Sequence, residues 1–69
     1  MNFNLMMYRK MLKLSQPQIG EEIGMSKTSY SKRETGVQDF KQSEMISIMK
    51  LVNKKFPEAT MEDVFLKSK

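Results

Sequence analysis

Five side chains within nine residues carry hydrogen-bond donors and no negative charge: Lys27, Thr28, Ser31, Lys32 and Thr35. At roughly 100° per residue they share one side of a helix and cover about 140° of it, with Tyr30 and Arg33 on the other side. A merely solvated helix would mix glutamate with lysine for pairing across one turn. This face leaves out the anions that would repel a phosphate. Short donors near the start of a protruding helix suit the major groove of B-DNA. Lysine there reaches guanine O6 and N7, while threonine and serine meet base edges or a thymine methyl. A plain exposed helix is the other reading of the same residues.

Competing chemistries lack their side chains. The 69 residues contain no histidine and no cysteine, which excludes disulfides, the commonest general base and the thiol nucleophile, and argues against zinc. The eight carboxylates are scattered over polar faces, so no enzyme, metal or cofactor is expected. A net charge of +4 favours an anionic partner, nucleic acid before membrane. The apolar start "MNFNLMMYRKMLKL" has its basic residues after the apolar stretch, the reverse of a signal peptide, and no segment has transmembrane length. The expected location is the cytoplasm.

Helices must position the donor face, and their limits are written in the chain. Leu5, Tyr8, Met11 and Leu12 recur at spacings of three and four, which predicts a first helix over about 4–13. Ser15 and Gln18 form a capping box, Pro17 fits a first turn, and Ile19 and Ile23 share the buried face of a second helix. Gly20 lies on that same side, where a missing side chain lets another backbone approach. Gly24 stops the second helix, Ser26 caps the third, and Gly36 ends it. After the connector "VQDFK" come Met45, Ile48, Met49, Val52 and Phe56 at core spacing, with Pro57 as the stop. "TMED" (Thr60 to Asp63) opens a last short helix carrying Met61, Val64 and Phe65. The eight methionines read as gap-fillers in a small core. No strand pattern, repeat or linker interrupts this all-α, five-helix, single-domain reading over 1–69.

The stretch "LSQPQIGEEIGMSKTSYSKRETG", with its motif over about 15–36, resembles the helix-turn-helix of the lambda-repressor and Cro superfamily, the XRE family. Gln16 opens the first helix of the motif, Ile19 and Ile23 fill its apolar positions, and Gly20 takes the small-residue position. Gly24 stands in the turn, Ser26 caps the recognition helix, and Glu34 with Gly36 closes it. Upstream, Leu5 and Arg9 match the family's first helix. Met45 to Val52 and "TMEDVF" resemble the fourth and fifth.

The resemblance implies roles. Lys27, Thr28, Ser31 and Lys32 fall on positions that meet base edges, and Ser29 on a backbone contact or a neighbouring base. Gln16 matches a phosphate clamp, assisted by Ser26; Gln38, Lys41 and Gln42 would meet the opposite strand's phosphates. Arg9 and Glu34 match an internal ion pair. Three departures stand out. Arg33 replaces an apolar residue, often Trp, which would leave the recognition helix less firmly anchored. Lys13 stands where glycine commonly ends the first helix, and "NKKFPEA" is a longer link than usual.

The implied function is a Cro-like phage or mobile-element repressor, binding double-stranded DNA at an inverted repeat as a homodimer without a ligand sensor. Phe56, Val64, Phe65 and Leu66 are the candidate dimer contacts. The alternative keeps the fold but acts on another regulator protein, as an anti-repressor or antitoxin does.

Overall fold

Ser15, Ser26 and Thr60 each start a helix by the same device, a side-chain oxygen accepting from an amide that the first turn leaves without a partner. Ser15 Oγ accepts from the Gln18 amide at 3.2 Å, and Gln18 Oε1 returns the bond to the Ser15 amide at 2.8 Å. Thr60 and Asp63 exchange the same pair of bonds at 3.1 and 2.8 Å. The computed structural model describes residues 2–65 and is all-α in them. Its elements are α1 (Phe3–Met11), α2 (Gln16–Glu22), α3 (Lys27–Thr35), α4 (Gln42–Lys55) and α5 (Met61–Phe65).

α1 is shorter than its periodicity predicts. The chain turns left-handed at Lys13, φ 61°, so the helix stops at Met11. Met11, expected in the core, is 41 % exposed, because Leu5 and Leu12 set the inward direction and Met11 points well away from it. Gly24 and Gly36 have φ of 76° and 93° and end α2 and α3 as expected.

One core serves all five helices. Leu5, Ile19, Tyr30, Ile48, Met49, Val52 and Val64 are buried, one or more from each element. Aromatic edges extend it: Phe40 meets Tyr30 at 6.1 Å and Phe65 at 5.4 Å between ring centres, and Tyr8 meets Phe56 at 5.5 Å. α2 packs on α3 through a close backbone approach at Gly20. There the Met25 amide donates to the Gly20 carbonyl at 2.7 Å, and a Cβ on Gly20 would stand 2.8 Å from the Met25 carbonyl oxygen. That contact fixes the turn, and through it the direction in which α3 leaves α2.

Core packing corrects one of the expected dimer contacts. Val64 is fully buried and has no surface to offer a partner. Phe56 and Phe65 are half-buried, their rings edge-on to Tyr8 and Phe40. Leu66 lies outside the described residues.

Candidate nucleic-acid interface

α3 shows the core almost nothing but Tyr30 and Glu34, its two buried residues. Tyr30 is a fully buried plug whose hydroxyl donates to Glu34 Oε2 at 2.6 Å. The same carboxylate receives Arg9 Nε at 2.9 Å, Arg9 Nη2 at 3.1 Å and Gln16 Nε2 at 3.1 Å. Arg9 also donates to the Leu14 carbonyl at 3.0 Å. One side chain at the end of α3 thereby holds α1, α2 and α3 together. Burial alone would raise the Glu34 carboxyl's pKa, but the hydrogen bonds from Arg9, Tyr30 and Gln16 outweigh it and hold the group below its usual 4.5. Its hydrogen bond to Glu34 raises Arg9, and burial followed by the Glu34 carboxylate pushes the Tyr30 phenol well above its ordinary value. The pair is ionised and the phenol neutral at pH 7.

A second clasp closes α3. The Asn2 amide donates to the Glu34 carbonyl at 2.9 Å and Asn2 Nδ2 to the Arg33 carbonyl at 3.1 Å. The first satisfies a carbonyl that the end of a helix leaves open, and the second joins the Gly36 amide, at 3.3 Å, on the Arg33 carbonyl. A lone polar residue ahead of an apolar helix carries no signal in the sequence for such a contact.

With its single carboxylate turned inward, α3 presents an outer face of donors. Lys27, Thr28 and Lys32 are exposed, and Ser29 and Ser31 half-buried beside them. Thr35 is exposed on the same side, but its hydroxyl is engaged by its own helix, donating to the Ser31 carbonyl at 2.8 Å. Ser26 Oγ accepts from the Ser29 amide at 3.1 Å, which leaves the hydroxyl its own hydrogen to donate. Gln38, Lys41 and Gln42 are exposed on the connector and the start of α4. Gln16 is half-buried, with its amide nitrogen engaged by Glu34, so a phosphate there would meet its remaining amide hydrogen or its backbone N–H.

Arg33 differs from the expectation of a loosened helix. Its Nε donates to Glu44 Oε1 at 2.9 Å, and its Nη1 to the Ser29 carbonyl at 3.2 Å and to Gln38 Oε1 at 3.4 Å. The same Glu44 oxygen accepts from the Lys41 amide at 2.8 Å. A salt bridge with side chains only 14 % and 17 % exposed thus replaces apolar packing, and it ties α3 to α4 across the connector that carries Gln38 and Lys41. Glu44 escaped the sequence reading because its partner lies eleven residues away across a turn of unknown shape.

Two helices joined by the four residues 23–26, the second carrying a carboxylate-free outer face, form a helix-turn-helix. The helix-turn-helix family model HTH_3 matches residues 5–58. The chain belongs to that family. It is a Cro- and lambda-repressor-like domain, and the family is one of DNA-binding transcription regulators. No curated protein and no solved structure matches it. No helix among the described residues of this helix-turn-helix domain is long and apolar enough to cross a membrane.

Proposed function

We propose that the domain is a Cro-like repressor that binds an inverted-repeat operator as a dimer and reads it with α3. Lys27, Thr28, Ser31 and Lys32 meet base edges in the major groove; Gln16, Ser26, Ser29, Gln38, Lys41 and Gln42 hold the flanking phosphates and set the register. The observation that carries this reading is the inward turn of Glu34, which leaves the outer face of α3 cationic and free of carboxylate. Two copies would place their α3 helices in successive major grooves, roughly 34 Å apart, and repress by covering a promoter. Affinity would fall steeply with salt as counterions leave the phosphates.

A second reading, a modulator that binds another regulator, draws on one observation: α1 exposes Phe3, Met7 and Met11. Selection from a random duplex DNA library at near-physiological salt separates the two. An enriched inverted repeat supports dimeric readout. No enrichment from a folded protein would overturn it and turn attention to a protein partner.

A further inference from the structure

Phe3, Met7 and Met11 stand four residues apart and are 55 %, 57 % and 41 % exposed, an apolar stripe along the whole of α1. Met61 of α5 adds a further side chain that is 37 % exposed. Isolated exposed apolar residues are ordinary, but three on one face in a domain this small leave a contiguous patch. Beside it runs a groove of about 350 Å³, lined by Asn4, Met7, Tyr8, Met11, Glu62 and Asp63, with room for a neighbour's side chain.

The charges at its edges choose the occupant. On the helical wheel Lys10 falls about 20° from Phe3 on one edge of the stripe, while Asn4 and Tyr8 fall on the other. That second edge faces α5, where Glu62 and Asp63 line the groove. Lys10 therefore borders the patch on one side and Glu62 and Asp63 on the other, where Lys55 Nζ donates to the Met11 carbonyl at 2.7 Å. Two copies can lay such stripes together about a two-fold axis in two ways. An axis across the helices sets like edges opposite each other, lysine to lysine and acid to acid. An axis along the helices sets Lys10 of each copy against the acidic edge of the other.

We infer that the stripe is the dimer interface, two α1 helices packing in parallel with Met7 near the axis and Lys10 of each copy facing Glu62 and Asp63 of the other. The inference rests on the dimeric reading above and gives it a surface. It also keeps both recognition helices at one end of the dimer. Asn2, at the head of α1, is bonded to the end of α3, and an axis along α1 leaves that head on the same side in both copies.

Sedimentation equilibrium of the full chain without DNA tests it. The wild type is expected to self-associate, and Met7→Glu to be monomeric with an unchanged circular dichroism spectrum. Lys10→Glu and Glu62→Lys should each weaken association about tenfold, since each reversal sets like charges together at both symmetry-related contacts. An equimolar mixture of those two variants should restore it, because in the mixed dimer each position 10 meets an opposite charge at position 62. A wild type that stays monomeric, a Met7→Glu dimer as tight as wild type, or a mixture no tighter than its parts would overturn the interface. Because DNA is absent, these results leave the library selection to decide DNA binding on its own.

Discussion

α1 and α3 are both nine-residue helices, yet they divide their side chains in opposite senses. α1 buries Leu5 and still exposes three large apolar residues. α3 buries a tyrosine and its only carboxylate and exposes lysine and threonine. A helix that needed only water outside would do neither. One surface is short of apolar cover and the other of negative charge, so the two faces suit different partners, protein for α1 and phosphate for α3. The link between them is the Arg9–Glu34 pair, which fixes the helix that would dimerise to the helix that would read bases.

Breaking that link should have the largest effect. Glu34→Ala strands the Arg9 guanidinium and the Tyr30 hydroxyl in a site where the carboxylate is only 3 % exposed. Removing one partner of a buried pair costs about 3–5 kcal/mol, a large part of what so small a domain has, and urea unfolding should show it. The same pair sets the pH response. Because the folded chain holds Glu34 below its ordinary 4.5, the unfolded chain takes up that proton first. Stability is then full above that value and falls as pH drops below it. Tyr30 acts with the opposite sign: its pKa lies above the ordinary 10.0 in the fold, so stability falls as pH rises beyond that value. Urea midpoints across pH should show both limbs. Glu34→Gln should flatten the acid limb; an unchanged one would remove Glu34 as its source.

Next comes the outer face of α3. Lys27→Ala combined with Lys32→Ala should lower specific DNA affinity by about 100-fold, as loss of two base contacts worth about 1–3 kcal/mol each would allow, with the melting temperature little changed. Both lysines are exposed, so folding does not depend on them. Unchanged DNA binding in a gel-shift titration would sink their assignment.

A smaller effect probes the clasp at Arg33. Glu44→Gln removes the charge that holds Arg33 but keeps an oxygen for the Lys41 amide. The expected cost is about 1 kcal/mol of stability, with DNA affinity falling severalfold as the connector carrying Gln38 and Lys41 loosens. Equal affinity in fluorescence anisotropy would show that the connector needs no such tether.

How far these features could be read from the sequence depended on range. The caps at Ser15, Ser26 and Thr60 are local, three residues from oxygen to amide, and all were legible. So were the left-handed stops at Gly24 and Gly36. The Arg9–Glu34 contact spans 25 residues and was expected only through family resemblance. Glu44 and Asn2 had no such help and were missed, since their roles depend on where two helices cross rather than on any spacing along one. Burial of Val64 follows from the same limit: apolar periodicity says that a residue faces something, not whether that something is its own core or a partner.

The smallest expected effect concerns how the two helices end. α3 stops at Gly36 with φ 93°, a conformation glycine adopts freely, whereas α1 is followed by Lys13 at φ 61°. A lysine there crowds its Cβ against its own backbone, and the turn is closed among the described residues by backbone bonds from the Lys13 and Leu14 amides to the Lys10 and Arg9 carbonyls. Lys13→Gly relieves that strain but frees the unfolded chain, and the balance should raise stability by about 0.5–1 kcal/mol. Gly36→Ala should cost about 1 kcal/mol by the same reasoning reversed. Thermal melts of the two variants side by side would separate the cases. If Lys13→Gly lowers the melting temperature, the turn after α1 is held by the side chain itself, and the lysine is there for a contact rather than in spite of its backbone.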